Sequence, residues 1–187
     1  MLKSWRIFQS ILVLGFFIFA HTGCEKKVEE KKVEEKKGYQ ILTKSIDKMT
    51  IVYVEHVGPY EQLGPLFGQL AVYAGQKGLE FNMVGLYYDD PATVPAESLR
   101  CELGIQVDEG FEPDSGYLVK EIPPHKVVYA VMRGAYDRIA MEYPTIMKWM
   151  GEKGLKIAGP ITEIYLEGGP DVPPEQLVTE VRFPVEE

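Results

Sequence analysis

One acidic side chain is placed where chemistry needs it. In the run Ile161-Thr162-Glu163-Ile164-Tyr165-Leu166, strand alternation puts Ile161, Glu163 and Tyr165 on one face and Thr162, Ile164 and Leu166 on the other. A carboxylate among aliphatic and aromatic neighbours must be paired, protonated or turned toward a wet pocket, because an unpartnered charge is costly to desolvate. In a pocket it would hold a cation by charge, or take a proton from water as a general base. Two placements stay open: an exposed glutamate on an edge strand, or a glutamate facing a cleft. Aromatic side chains are plentiful. Tyr53, Tyr60, Tyr87, Tyr88, Tyr129, Tyr136, Tyr143, Tyr165, Trp149 and Phe183 exceed what two helical stripes consume. A few of them lining a groove would present flat apolar walls suited to aromatic or cationic ligands. Tyr53, Tyr88, Tyr165 and Trp149 are the candidates to stand with Glu163.

Other chemistries find little support. His21, His56 and His125 share no metal-ligand spacing. The chain has no glycine-rich phosphate loop, no serine nucleophile elbow and no CxxC pair. Cys101 lies in an apolar strand run and reads as a small core residue. Glu102 and Glu180 fall at matched positions of an internal repeat, which favours a structural role such as a cross-strand pair. The expectation is binding, or hydrolysis without metal or cofactor.

The elements that must position these groups come from that repeat. His56-Val57-Gly58-Pro59-Tyr60 opens an apolar run ending at Gly78-Leu79, and Val131-Met132-Arg133-Gly134-Ala135-Tyr136 opens another ending at Gly154-Leu155. Tyr60 and Tyr136 are 76 positions apart, as are Gly78 and Gly154; Leu99 and Leu177 are 78 apart. Between them, Gly85-Leu86-Tyr87-Tyr88 is set against Thr162-Glu163-Ile164-Tyr165, which makes Leu86 the counterpart of Glu163. Two units are too few for a solenoid; they read as two halves of one pseudo-symmetric domain. Val-, Ile- and Tyr-rich runs predict strands over 49–57 and 126–133. Further strands are expected over 84–88, 99–107, 161–166 and 177–185, with a connecting strand over 116–122. Leu63, Leu66, Phe67, Leu70, Tyr73 and Ala74 form one helical stripe stopped by Gly78, and Ile139, Tyr143, Ile146, Met147 and Met150 another stopped by Gly154. Pro144 requires the second helix to start near Tyr143 or kink there. The order strand-helix-strand-strand, twice, predicts an α+β domain: a duplicated βαββ unit with antiparallel sheet, two helices and a central groove.

The N-terminal stretch has a different character. Lys3 and Arg6 precede an apolar run from Ile11 to Ala20, which is too short for a membrane span and suits a signal peptide over residues 1–23. His21-Thr22-Gly23-Cys24 resembles a lipoprotein processing box, with Cys24 lipidated and the protein held in the bacterial cell envelope, in the periplasm or on the outer face of a membrane. Residues 24–37 repeat Glu, Lys and Val in a charged spacer with too little apolar surface to fold. Residues 38–187 are left as a single domain. The leader carries +2 and the spacer +1, so the chain's −8 leaves −11 on that domain. Such a charge repels phosphate backbones, and nucleic acid is not expected as a partner.

Gly58-Pro59-Tyr60, Gly134-Ala135-Tyr136, Gly85-Leu86-Tyr87-Tyr88-Asp89 with Pro91, and Thr162-Glu163-Ile164-Tyr165 followed by Thr179-Glu180-Val181-Arg182-Phe183-Pro184-Val185 together resemble the GyrI-like small-molecule-binding domain. That family is also called the AraC-type effector-binding domain, and the resemblance spans residues 40 to 186. It implies a duplicated βαββ fold with a central groove, and a glutamate in the penultimate strand motif, Glu163, that meets the ligand. Relatives serve as sensor halves of transcription factors binding lipophilic cations; some free-standing ones hydrolyse cyclopropane-bearing toxins with groove glutamate and aromatic residues. The leading expectation is a membrane-anchored protein, tethered through Cys24, that binds a small hydrophobic or cationic molecule. The alternatives are a hydrolase with Glu163 as general base and Tyr165 or Trp149 orienting substrate, and an envelope interaction module whose groove takes a peptide.

Overall fold

The computed structural model describes residues 38–169 and 171–186. The expected leader, spacer and Cys24 lie outside the described residues. Eight strands pair in one antiparallel sheet: β1 (Leu42–Ile46), β2 (Met49–Val57), β3 (Met83–Tyr87), β4 (Arg100–Val107), β5 (Leu118–Ile122), β6 (His125–Arg133), β7 (Ile161–Glu167) and β8 (Val178–Pro184). The helices are α1 (Gly64–Lys77), α2 (Tyr136–Ala140) and α3 (Tyr143–Glu152). α1 carries a proline in its first turn and ends on Gly78, whose φ of 65° is the left-handed cap. Pro144 breaks the second helical run outright, because its ring excludes the carbonyl four residues back and it has no N–H to donate. Together α2 and α3 answer the single helix α1, and the α+β architecture holds.

The repeat unit differs from the expected one. Each half is strand-strand-helix-strand-strand, because β1 precedes β2 as β5 precedes β6. β1 and β5 stand 76 positions apart, as β2 and β6 do. β1 escapes a sequence reading because Leu42-Thr43-Lys44-Ser45-Ile46 has an apolar residue only at each end. The sheet order is β1-β6-β8-β7-β3-β4-β2-β5, a palindrome of equivalent strands. Each half therefore gives its first strand to the other: β1 pairs with β6, and β5 with β2.

That exchange curls the sheet. β1 and β2 have five strands between them in the sheet, yet only Asp47 and Lys48 connect them in the chain. A flat sheet would separate them by roughly 29 Å at ~4.8 Å per strand, whereas three Cα steps reach at most about 11 Å. Pro123 and Pro124 impose the same constraint between β5 and β6. The sheet bends into a half-barrel, and the middle of its inner face is buried without a covering helix among the described residues: Ile51, Val84, Leu86 and Ile164 pack there, while Leu42, Leu118, Val131 and Leu166 on the same face stay 40–46% exposed. Helices are needed only outside. α1 covers Val52, Val54, Leu103 and Ile105 with Leu70, Tyr73 and Ala74. α2 and α3 cover Val128, Ala130, Val181 and Phe183 with Ile139, Ile146 and Met150.

The exchanged strands are fastened on the inner face by matched clusters. Lys44 of β1 crosses the Tyr129 ring, 4.2 Å from its centroid, to reach Glu180 at 2.6 Å. Lys120 of β5 crosses the Tyr53 ring at 4.8 Å to reach Glu102. Both glutamates thus serve as the expected structural pairs, with Arg182 also donating to Glu180. Burial alone would raise the Glu180 carboxyl, but the hydrogen bonds from Lys44 and Arg182 outweigh it and hold the group below its ordinary value. A depressed carboxyl contributes stability that is present above the unfolded value and lost as pH falls through the folded one. Thermal midpoints of the wild type should drop as pH falls below about 4.5, and Glu180→Gln should flatten that acid limb while lowering the midpoint at pH 7.

Candidate functional site

Glu163 lies in β7, between β8 and β3, and is 7% exposed. It is on the helix-covered face, so the edge-strand alternative does not hold. Its directly opposite residue on β3 is Gly85. The pairing registers of β3 with β4 and of β7 with β8 fix equivalent residues at a separation of 78. Gly85, not Leu86, is therefore the counterpart of Glu163, and Tyr87 is the counterpart of Tyr165. The expected alignment was shifted by one residue, and Leu86 in fact faces the inner core.

The pair Gly85–Glu163 sits on the pseudo-two-fold axis, where each residue faces its own copy. Two glutamates here would place their Cβ atoms about 5 Å apart, and only one would ionise. Glycine removes the second carboxylate, and the Tyr87 ring fills its place: a Cβ built on Gly85 would lie 2.7 Å from that ring.

A matched set of rings surrounds the axis. Gly58 (φ 143°) and Gly134 (φ 136°) turn the chain out of β2 and β6, a conformation that favours glycine. They deliver Tyr60 and Tyr136 to equivalent positions. Tyr60 packs edge-on against Tyr87 with centroids 5.1 Å apart, and Tyr136 against Tyr165 at 5.2 Å. Seven residues on from Tyr60, Phe67 of α1 packs edge-on against Tyr165 at 5.2 Å. Tyr143, which corresponds to Phe67 at the separation of 76, donates its hydroxyl to Glu163 Oε1. Tyr165 donates to Glu163 Oε2 at 2.6 Å, and Tyr87 lies 2.6 Å from the Tyr165 oxygen. Because the Tyr165 proton goes to Glu163, Tyr87 is the donor in that last bond. Two changes between equivalent positions, Gly85 to Glu163 and Phe67 to Tyr143, thus make one half of the cluster polar.

Burial pushes the Glu163 carboxyl above the usual carboxylate range, and the phenol hydrogen bonds draw it part of the way back. Burial, followed by the nearby Glu163 charge, raises Tyr143 and Tyr165 far above an ordinary phenol, so both stay protonated donors. Tyr60 is pushed up to about 12, chiefly by burial. Among the described residues no lysine, arginine or histidine pairs with Glu163. Such a carboxylate can stabilise a cation set among ring faces, or accept a proton.

Of the candidates, the structure brings Tyr165 together with Glu163. Tyr53 and Tyr88 lie with Lys120 on the opposite face of the sheet, where Lys120 Nζ is 3.2 Å from the Tyr88 hydroxyl. Trp149 packs against the core beneath α3, with Lys153 Nζ 4.8 Å from its ring centroid. Tyr60, Tyr87, Tyr136 and Tyr143 were missed as site residues. The separation of 76 shared by Tyr60 and Tyr136, carried on at 78 to Tyr87 and Tyr165, was the signal that marks them. Cys101 is buried, and burial lifts its thiol to about 12, so it is no nucleophile at neutral pH. The described residues hold no cluster of three or more metal-ligating side chains. Two open surface cavities of about 320 and 330 Å³ are lined by other residues, including Arg133 in both.

A family model described as GyrI-like small molecule binding domain matches residues 39–186. A DNA gyrase inhibitor of Escherichia fergusonii is 32% identical over 133 residues, covering 67% of this chain and 86% of that protein. The crystal structure of the EcmrR C-terminal domain superposes with a TM-score of 0.65 at 23% identity, over 81% of this chain and 99% of that one. A protein solved with tetraphenylphosphonium superposes at 0.51 and 15% identity, over 79% of this chain and 94% of that one.

A carboxyl raised by folding stabilises the protein below its unfolded value, and that contribution is lost as pH rises toward the folded one. Wild type at pH 7 therefore bears the cost of a buried charge. Glu163→Gln should raise the thermal midpoint at pH 7 by a few degrees and leave it unchanged near pH 4, where the carboxyl is largely neutral in both states. A lower midpoint at pH 7 would show that Glu163 is a net structural support.

Proposed function

The chain belongs to the GyrI-like small molecule binding domain family, and on that premise we propose that Glu163 and its ring of tyrosines receive a small hydrophobic cation. One observation carries this reading: among the described residues, the buried carboxylate on the pseudo-two-fold axis accepts only phenol protons and has no cationic side chain beside it. A ligand bearing positive charge supplies the missing partner. Tyr60, Tyr87, Tyr136, Tyr143 and Phe67 offer ring faces and edges to its apolar body, and cation–π attraction strengthens when the site is desolvated. The tetraphenylphosphonium bound by a structural neighbour has this chemistry. Glu163 is 7% exposed, so a ligand must displace rings to reach it. Tyr136, 41% exposed, is the outermost of them and the first to yield.

The same reading places the domain at a membrane. The leader over residues 1–23 and lipid on Cys24 would anchor the protein in the bacterial envelope, and the charged spacer would hold the binding domain clear of the bilayer. Two acyl chains suffice for stable attachment, since each buried methylene contributes about 0.8 kcal/mol.

Calorimetric titration with tetraphenylphosphonium tests the site. Wild type should bind, and Glu163→Gln should weaken binding about tenfold or more, the equivalent of ~1.4 kcal/mol; equal affinities would refute a charge-based site. Fractionation of cells making the full chain tests the anchor. Wild type should partition with membranes and Cys24→Ala should shift toward the soluble fraction; unchanged partitioning would exclude lipid on Cys24.

A further inference from the structure

Thr179 is fully buried, and its Oγ1 has no hydrogen-bond partner among the described residues. Buried hydroxyls are nearly always satisfied, so an orphan points to a missing partner. Its place in the sheet says what that partner is. Thr179 of β8 is the direct cross-strand neighbour of Tyr165, while Glu163 is opposite Val181. Glu163 and Thr179 are thus diagonal neighbours on the same helix-covered face, with Cβ atoms about 7 Å apart. Tyr165 and Val181 complete that set of four, and a ligand cation with more than one N–H that displaced the Tyr165 ring would have a donor for each oxygen. The equivalent position in the other half holds Cys101, a thiol whose hydrogen-bonding demand is weak, facing Tyr87 across β3. The other half has a buried unpartnered atom of its own, His56 Nε2 opposite Cys101, but the orphan hydroxyl is in the half that carries the carboxylate.

Resting on the binding reading of Glu163, we infer that Thr179 is a second ligand contact, and that the ligand is a cation bearing N–H donors: a protonated amine, amidine or guanidine. One N–H goes to the Glu163 carboxylate and another to Thr179 Oγ1. A fully substituted onium ion satisfies the charge of Glu163 and leaves Thr179 orphaned. Thr179 is then the residue that separates the two ligand classes.

A matched pair of probes decides the point: 4-biphenylmethylammonium and its N,N,N-trimethyl counterpart, titrated into wild type, Thr179→Val and Glu163→Gln. Wild type should bind both. Thr179→Val, of nearly the same shape, should weaken the primary ammonium about tenfold, the effect of one lost hydrogen bond, and leave the trimethyl ion unchanged. Without ligand, Thr179→Val should melt no lower than wild type, because the lost hydroxyl had no partner. Equal effects on both probes, no effect on either, or no binding of the primary ammonium to wild type would overturn the inference. Loss of both probes in Glu163→Gln with no selectivity change in Thr179→Val leaves the binding site standing and removes this inference alone. Unchanged binding of both probes in Glu163→Gln removes the site itself.

Discussion

Asp47 and Lys48 carry the chain from one side of an eight-stranded sheet to the other, and Pro123 and Pro124 do so again in the second repeat. Links this short cannot cross a flat sheet, so the sheet must bend until its two sides approach. Lys48 holds the first link down through ion pairs to Glu109 at 2.7 Å and Glu121 at 3.4 Å. The bend buries the middle of the inner face, around Ile51, Val84, Leu86 and Ile164, and leaves the helices free to pack outside. The two halves also meet at β3 and β7, paired neighbours in the middle of the sheet, where the pseudo-two-fold axis runs. The first strand of each half, given to the other, closes the arrangement, and the Lys44–Glu180 and Lys120–Glu102 pairs secure it. Each of these charges is partly buried, so breaking one pair strands its partner in a poorly solvated place, which costs more than the pair contributes at the surface.

A duplicated scaffold imposes symmetry on whatever lies at its axis, and a binding site for one charge requires that symmetry to be broken. The break is small. Gly85 vacates the position that Glu163 occupies, Tyr87 folds into the space, and Phe67 is replaced by Tyr143 on the far helix. The remaining rings keep their matched positions, with Tyr60 on Tyr87 and Tyr136 on Tyr165 at nearly equal separations. One carboxylate, two direct phenol donors and a third phenol behind them give a chain of hydrogen bonds that includes no cation among the described residues. Glu163 is raised by burial and only partly relieved by those donors. Such a group lowers stability at neutral pH, which is the usual mark of a residue kept for what it binds. The orphan hydroxyl of Thr179 has the same character, a buried polar atom without a partner among the described residues.

Much of this was legible in the sequence, and its limits are instructive. The strands over 49–57 and 161–166, the helix stop at Gly78 and the break at Pro144 each follow from local chemistry: β-branched and aromatic runs, a left-handed glycine, a proline without a donor. The prominence of Glu163 followed from alternation, from the apolar position set against it in the other half and from the family resemblance. β1 was not legible, because Leu42-Thr43-Lys44-Ser45-Ile46 is a strand only by virtue of β6 beside it. The companions of Glu163 were misassigned for a different reason. A one-residue slip in aligning the halves exchanges the two faces of a strand, so Leu86 took the place of Gly85.

The sequence by itself determined the duplication, the α+β class and the presence of one carboxylate among aromatic residues, since these depend on periodicity and residue type within short segments. The tertiary structure alone decided which aromatic residues meet that carboxylate. Tyr53 and Tyr88 differ from Tyr87 and Tyr165 only in the face of the sheet to which they belong, and face is set by register. Register in turn is fixed by pairings between strands far apart in the chain, Gly85 with Glu163 and Tyr165 with Thr179 among them. Long-range hydrogen bonding of that kind leaves no trace in the local pattern of residues, and so the site became visible only when the sheet was assembled.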